Sequence, residues 1–367
     1  MSTALKDLYS KAFVAEISGI IKPHIKNFDE VVFAASIFDK NWKNLELKQR
    51  MRHITNMLNR VLPEDFEHAS KVLFKITSGI QQHHGHGMHF LYMFLPDFVE
   101  QFGINHFHTS VALFEKITQV TSAEFAVRPF IIKYPKPMMQ KMVAWSKHQS
   151  EYVRRLSSEG ARPRLPWAIG LPAFKKDPSP VLPILENLKN DASETVRRSV
   201  ANNLNDIAKD HPETVLRLIN KWQGKSKNTD WIIKHGSRTL LKQGNDEAMR
   251  IFGNHPIKSF TIQNIRSDKQ VKIGGTYQFQ FEYLHAEKQA VDVRMDYAIY
   301  YVKSTGKVSK KVFRLTEGKT HPNKLFTLTK KQHFKDLTTR KHYAGEHQLA
   351  IIVNGNEVVR WKFKVIS

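Results

Sequence analysis

Apolar residues recur every three or four positions through the first part of the chain, up to about residue 255. One such stripe runs over residues 47–61 and the next over residues 66–80. This spacing places one apolar face on each of two helices. Proline and glycine separate the segments, so the pattern predicts short helices with short connections, packed side by side.

A basic pattern repeats within these helices. Residues 152–160, 195–204 and 231–240 each combine apolar positions with adjacent basic residues. Successive copies lie roughly 35 to 45 residues apart, a period typical of HEAT-like solenoids, in which neighbouring helix pairs bury each other's apolar stripes. We therefore predict a HEAT-like helical repeat domain over residues 1–256.

The apolar period changes to two after Pro256. Aromatic residues alternate with polar ones from Tyr277 to Tyr283, and VNGNE at residues 353–357 is typical of a hairpin turn. Several short strands over residues 257–367 predict an antiparallel sandwich of immunoglobulin type. The predicted fold is multidomain, α then β: a HEAT-like α-helical repeat solenoid followed by an immunoglobulin-like β-sandwich.

Lysine and arginine greatly outnumber the acidic residues. The chain has 57 Lys and Arg against 34 Asp and Glu, a formal net charge of +23 and a sequence pI near 9.9. Such an excess predicts a polyanionic partner, because neutralised phosphates release condensed counterions. Both predicted domains are basic, which favours a nucleic acid, although charge alone does not distinguish DNA from RNA or from an anionic membrane.

Several kinds of chemistry are excluded. The 367-residue chain has no cysteine, so it has no disulfides, thiol nucleophiles or thiolate zinc sites. It has no Walker loop, no dinucleotide fingerprint and no apolar run near the roughly 20 residues that span a bilayer. His83, His84, His86 and His89 have no carboxylate beside them in sequence, which favours a solvated or phosphate-facing loop. We expect no metal, no nucleotide cofactor and no membrane partner.

The segment TSAEFAVRPF, residues 121–130, has two interpretations. Glu124 follows a threonine and a serine in a helix-capping pattern and would complement the helix dipole. It also precedes Arg128 by four positions and lies beside Phe125. Because a segment of similar composition follows within one repeat, the two helices could instead converge on one groove.

The segment RRLSSEGARPRLPW, residues 154–167, is more specific. Glu159 would lie in the last turn of a helix ended by a glycine, where the negative partial charge of the helix terminus disfavours a carboxylate. A locally unfavourable residue among arginines suggests a functional use. The prolines predict rigid, extended backbone that aims Arg162, Arg164 and Trp167. The alternative is a salt-bridged linker with Trp167 in the core.

Residues 196–210, VRRSVANNLNDIAKD, combine an apolar and a polar helical face. Asn203 and Asp206 share the polar face, flanked by Arg197 and Arg198. Basic residues on the same face of successive repeats would form a phosphate track. The next repeat supplies Lys234, His235 and Arg238.

Four segments resemble, in order, the AlkC branch of the AlkC/AlkD-type DNA alkylation repair glycosylases: SAEFAVRPF, YVRRLSSEGARPRLPW, VRRSVANNLNDIAKDHP and WIIKHGSRTLLKQG. The basic sandwich ending HQLAIIVNGNEV extends the resemblance over essentially the whole chain. It implies HEAT-like repeats and an immunoglobulin-like domain that both contact duplex DNA containing alkylated bases. It also implies metal-free hydrolysis of the N-glycosidic bond of cationic bases, N3-methyladenine and N3-methylcytosine, without base flipping.

The resemblance further implies roles for individual residues. Glu159 would activate water and Glu124 would stabilise positive charge on the sugar, or the reverse, while Trp167 packs on the deoxyribose and Asp206 is a third acidic member. The implied DNA-binding residues are Arg154, Arg155, Arg162, Arg164, Arg197, Arg198, Asn203, Lys234, His235 and Arg238.

We expect a monomeric cytoplasmic protein that acts at the bacterial nucleoid. The competing hypothesis is a non-catalytic HEAT-repeat scaffold that binds damaged or structured nucleic acid, in which the carboxylates serve only as salt-bridge partners.

Overall fold

The computed structural model describes residues 4–337 and 340–367. From Lys11 to Ile251 the chain forms α-helices joined by short connections, which confirms the predicted helical repeat region. The helices are α1 Lys11–Ile21, α2 Glu30–Ile37, α3 Leu47–Val61, α4 Phe66–His84, α5 Phe94–Phe102, α6 Phe107–Ile117, α7 Val127–Lys133, α8 Pro135–Trp145, α9 Glu151–Glu159, α10 Pro172–Lys176, α11 Leu182–Leu188, α12 Glu194–Ile207, α13 Pro212–Trp222, α14 Lys227–Gly236, α15 Arg238–Gln243 and α16 Asp246–Ile251. Short 3₁₀ helices occur at Leu5–Leu8, Lys22–His24, Trp42–Asn44 and Phe90–Met93.

The two apolar stripes of the sequence form the buried faces of α3 and α4. Ile54 and Leu58 of α3 and Leu73 and Ile76 of α4 are buried. Asp65 caps the first turn of α4 by accepting a hydrogen bond from the backbone N–H of His68. Helical periodicity therefore located both helices to within a few residues.

The contacts within the chain group its described residues into two compact units. The first comprises the residues up to His211 together with Trp222–Gly236, and the second comprises Pro212–Lys221 and the described part of Ser237–Ser367. The change from helix to strand lies between Ile251 and Phe260. The domain boundary after residue 256 stays a prediction, because the contacts group α13, α15 and α16 with the strands.

The second unit contains eight strands among its described residues, in two sheets with the orders β1-β3-β6 and β2-β8-β7-β4-β5. This confirms the immunoglobulin-like sandwich. Strand β2 pairs in parallel with β8, so the expectation of a wholly antiparallel sandwich was wrong for this edge strand. The strands are β1 Phe260–Ser267, β2 Gln270–Lys272, β3 Thr276–His285, β4 Val291–Val302, β5 Val308–Thr320, β6 Phe326–His333, β7 Gly345–Val353 and β8 Asn356–Ile366.

Alternating aromatic residues fill the space between the sheets. Tyr277, Phe279 and Phe281 of β3 are fully buried, and the ring of Tyr277 lies 4.1 Å from that of Phe363 on β8. The predicted hairpin joins β7 to β8 through Asn354 and Gly355, whose φ angles are 45° and 88°. Positive φ at both central positions is the geometry of the tight turn that an Asn-Gly pair favours.

Across residues 4–337 and 340–367, no helix combines the length and the apolar character that crossing a membrane requires.

Candidate active site

Side chains from around α7 and α9 line a cavity of about 390 Å³ in the first unit. The predicted residues Glu124, Glu159 and Trp167 all line this cavity, together with Arg155 and Arg162. The structure therefore brings together residues that lie up to 43 positions apart in the sequence. This agrees with the prediction that the two segments converge on one groove.

Glu159 is the last residue of α9 and is only 5% exposed. Its Oε1 accepts a hydrogen bond of 2.6 Å from Nη1 of Arg162 and lies 4.0 Å from Nη2 of Arg155. Two cations thus offset the unfavourable position of a carboxylate at a helix C-terminus. Burial lowers the pKa of Arg162, but Glu159 and the second carboxylate, Asp206, outweigh burial and raise it.

Glu124 lies in the turn before α7. Its Oε2 accepts hydrogen bonds of 2.8 Å from Ser122 and 2.7 Å from Nη1 of Arg155. The residue before α7 is Ala126, and no side chain caps this helix. The helix-capping interpretation of Glu124 was therefore wrong, and its carboxylate is free to face the same cavity as Glu159.

Asp206 lies near the end of α12 and is buried behind Arg162. It accepts hydrogen bonds of 3.0 Å from Nε of Arg162 and 3.0 Å from Lys209. Asp206 is not among the residues that line the cavity. Its position fits a carboxylate that orients Arg162, and through it Glu159, better than one that touches the sugar.

Trp167 follows the segment after α9 and is 64% exposed. Its φ angle of 66° is in the left-handed region, which a bulky residue seldom adopts. Lys48, at the start of α3, donates a hydrogen bond of 3.0 Å to its carbonyl oxygen. The alternative that placed Trp167 in the core was wrong.

The backbone between Gly160 and Trp167 forms consecutive turns and not the rigid, extended chain that the prolines predicted. Gly160 has right-handed φ and ψ angles of −63° and −29°, so it does not end α9 in a left-handed conformation. A Cβ at Gly160 would lie 2.6 Å from Val127 and 2.9 Å from Met142. Close packing of α9 against α7 and α8 therefore requires this glycine.

Most of the arginines expected to bind phosphate pair with groups of the protein itself. Arg155 and Arg162 contact the site carboxylates, and Arg164 pairs with Asp210, which raises the pKa of Arg164. Arg154 pairs with both carboxylate oxygens of Asp191 at 2.6 and 3.1 Å. Each of these four guanidinium groups is therefore already held by a carboxylate of the protein.

The residues predicted on α12 have different environments. Asn203 is fully buried and donates to the carbonyl of Ser158, so a direct DNA contact does not fit this residue. Arg197 donates to the carbonyls of residues 191 and 192. The side chain of Arg198 is 66% exposed and pairs with Glu194 one turn away, a weak interaction that leaves it available to a phosphate.

The helical break at Ser237 divides the last basic repeat. Lys234 and His235 belong to the last turn of α14, whereas Arg238 begins α15. Their contact with DNA stays a prediction.

The four histidines lie beside the cavity without lining it, and the predicted loop was wrong for His83 and His84, which end α4. His84 lies 2.7 Å from Glu16, and the ring of His86 stacks on Tyr152 at 6.2 Å. Met88 and Phe90, which follow, line the cavity. In the part of the chain that the structure describes, no three His, Cys, Asp or Glu residues are grouped so that they could hold a metal ion.

Sequence reasoning missed two residues that organise the site, Lys48 and Arg128. Arg128 is fully buried and donates to the carbonyls of Gly160, Arg162 and Ile169. The sequence showed Arg128 only as the residue four positions after Glu124, which gave no indication of these three carbonyl acceptors. Lys48 is 119 residues from its acceptor and had no signal.

A second carboxylate pair lies beside the site. Asp97 accepts two hydrogen bonds from Arg52 at 2.7 and 2.8 Å, and neighbouring Glu100 has its pKa raised to about 7, first by burial and then by the charge of Asp97. A carboxyl whose pKa is raised by folding stabilises the fold fully when the pH is below 4.5, its pKa in the unfolded chain. This contribution is lost as the pH rises through about 7, its pKa in the folded protein.

We therefore expect the Glu100→Gln variant to gain stability relative to wild type as the pH rises from 4.5 to 8. The difference in the free energy of unfolding should grow by up to about 3 kcal/mol, the equivalent of the shift in pKa. Urea unfolding across this pH range measures it, with exposed Glu64→Gln as the control. A difference that does not change with pH would contradict the assignment.

Comparisons with known proteins identify the relatives of this chain. The family described as "DNA alkylation repair enzyme" matches residues 112–240, and "Uncharacterised protein YhaZ, C-terminal Ig-like domain" matches residues 261–367. The chain is 41% identical to the uncharacterized protein YhaZ of Bacillus subtilis (strain 168) over 358 residues, 96% of each chain. The structure of Pseudomonas fluorescens alkylpurine DNA glycosylase AlkC, bound to DNA containing an abasic site analog, matches with a TM-score of 0.91 at 34% identity and covers 100% of both chains.

These matches extend over both the helical repeats and the sandwich. Glu124, Glu159 and Trp167 of the cavity, and Asp206 behind it, lie within the range that the DNA alkylation repair family covers. The chain therefore belongs to the AlkC branch of the AlkC/AlkD-type DNA alkylation repair glycosylases.

Proposed function

We propose that this protein is a monofunctional DNA glycosylase that hydrolyses the N-glycosidic bond of cationic alkylated bases in duplex DNA, the first step of base excision repair. The bases are N3-methyladenine and N3-methylcytosine. The observation that carries the proposal is the arrangement of Glu124 and Glu159, each held by an arginine, in one cavity beside the exposed Trp167.

The chemistry follows from the charge of the substrate. An alkylated base that already carries a positive charge is a good leaving group, so its departure needs no general acid. Positive charge then develops on the deoxyribose, and fixed carboxylates stabilise it without reorganising. Arg155 and Arg162 hold the two glutamates in place, so these carboxylates are oriented before the substrate binds.

The carboxylates can also orient the attacking water. Both arginine contacts of Glu159 are made through Oε1, and among the described residues no hydrogen bond involves its Oε2. Glu124 has the same arrangement, since its Oε2 accepts from both Ser122 and Arg155. Of the two, we assign water activation to Glu159 and charge stabilisation to Glu124. A carboxylate within hydrogen-bond reach of water acts as a general base.

Trp167 supports recognition without base flipping. Its indole is exposed and belongs to a short turn, so it can pack against a deoxyribose of a duplex and need not close a deep pocket around the base. The electron-rich face of an indole also attracts the developing cation. The net charge of +23 favours the DNA backbone as partner, and we propose a cytoplasmic monomer.

The proposal is tested by incubating the protein with methylated duplex DNA and separating the released bases by chromatography. We expect free N3-methyladenine and N3-methylcytosine and unbroken strands with base-free sites, without added metal. If the protein binds this DNA, with an affinity that falls as salt rises, but releases no base, the non-catalytic scaffold is the better account.

A further inference from the structure

Trp167 is held in a backbone conformation that an aromatic residue rarely adopts on its own. A φ of 66° costs free energy at an aromatic residue, so contacts with the surrounding chain must hold it in place. We name residues 160–170 the Trp167 loop. Within it, the amide of Ala168 donates to Leu165 at 3.4 Å, a long hydrogen bond, and the amide of Leu171 closes the loop on Pro163 at 3.2 Å. Neither bond involves the backbone groups of Trp167 itself, so contacts from elsewhere are needed to hold its conformation.

Lys48 supplies one such contact from the second position of α3. Its Nζ donates a hydrogen bond of 3.0 Å to the carbonyl oxygen of Trp167 and lies 5.4 Å from the centre of the Phe125 ring. Phe125 lines the same cavity as Trp167. The ammonium group therefore connects the loop to a second residue of the cavity lining by a charge-assisted hydrogen bond and a cation–π contact.

Arg128 supplies the second contact from inside the protein. Its Nε donates to the carbonyl of Ile169 at 2.6 Å, and its Nη1 donates to the carbonyls of Gly160 and Arg162 at 2.9 and 2.8 Å. These acceptors lie on both sides of Trp167 in the chain. Burial lowers the pKa of Arg128 to about 10, and the charge of Arg162 adds to this shift. The guanidinium stays charged at neutral pH, yet it pairs with no carboxylate in the described chain.

We propose that Lys48 and Arg128 are positioning residues that together fix the Trp167 loop, so that the indole faces the sugar of the lesion. Arg128 holds the two ends of the loop together from the protein interior. Lys48 fixes the orientation of the peptide group that follows Trp167. The catalytic part of this inference rests on the proposed glycosylase function. The structural part concerns the free protein and does not depend on that function.

The structural part is tested by hydrogen exchange of the free protein. In Lys48→Met we expect the amides of residues 167–171 to exchange about tenfold faster, because one hydrogen bond to a charged donor is lost. Lys43→Met removes an exposed charge nearby in the sequence and should leave them unchanged. Equal exchange in Lys48→Met and wild type would overturn the proposal. Lys48 is exposed, so this variant retains the fold.

The catalytic part is tested by single-turnover base release at saturating DNA. We expect Lys48→Met to slow release about tenfold, since a small misplacement of a positioned group has effects of this size or larger. In a Trp167→Ala background the same substitution should have no further effect, because the residue it positions is gone. An undiminished effect in that background would overturn the inference.

Two further results separate the possible failures. If Lys48→Met weakens DNA affinity and reduces its salt dependence by about one phosphate contact without faster exchange, Lys48 is a phosphate ligand and the inference fails. If wild type releases no base but exchange in Lys48→Met is faster, the loop assignment stands and the proposed function fails.

Arg128→Lys should increase exchange over residues 160–171, because a lysine cannot reach three carbonyl groups at once.

Discussion

The Glu159→Gln variant should release alkylated bases at least about 100 times more slowly than wild type, the effect of removing one preorganised group that stabilises the charge of a transition state. Glutamine retains the shape of the side chain but removes the negative charge beside the developing sugar cation. Single-turnover release of N3-methyladenine at saturating DNA measures this effect without a contribution from substrate affinity.

Two controls make this result specific. Glu194→Gln removes an exposed carboxylate of α12 that pairs with Arg198, outside the cavity, and release should be unaffected. Glu159→Gln should also bind an undamaged duplex as tightly as wild type, because Arg155 and Arg162 remain. Release at the wild-type rate by Glu159→Gln would remove Glu159 from the mechanism and leave Glu124 as the essential carboxylate.

The second large effect is on stability. Arg162→Met should lower the free energy of unfolding by about 3–5 kcal/mol, the usual result of removing one partner from a buried ionic group. Arg162 bridges Glu159 and Asp206, and the side chains of all three residues are less than one-tenth exposed. Without it, two buried carboxylates lose their shared cation.

Urea unfolding at neutral pH measures the loss. Arg198→Met, which removes an exposed arginine of a neighbouring helix, should change stability by no more than about 0.5 kcal/mol. A comparably small loss in Arg162→Met would contradict the view that this arginine supports the carboxylates.

Periodicity predicted much of the fold because helices and strands bury one face each. The stripe at residues 47–61 became α3, and the alternating aromatics from Tyr277 to Tyr283 became the buried face of β3. The parallel pairing of β2 was not predictable in this way, since a strand of three residues carries almost no periodic signal.

The sequence also indicated Glu159, because a carboxylate at a helix C-terminus conflicts with the local electrostatics. What surrounds it depends on the tertiary fold. Asp206 reaches Arg162 across 44 residues, and Lys48 reaches Trp167 across 119. Such partners share no spacing that a single sequence reveals. For the same reason the arginines of residues 154–164 were predicted as phosphate ligands, whereas the fold supplies each with a nearby carboxylate.

The central claim is that the cavity stabilises positive charge on a deoxyribose through Glu124 and Glu159. It is tested most directly by comparing the affinity of the protein for two duplexes that differ at one site, where one carries a cationic pyrrolidine sugar mimic and the other a neutral tetrahydrofuran. The account predicts at least about tenfold tighter binding of the cationic mimic, a preference that Glu159→Gln loses. Equal affinity of wild type for the two duplexes would contradict it.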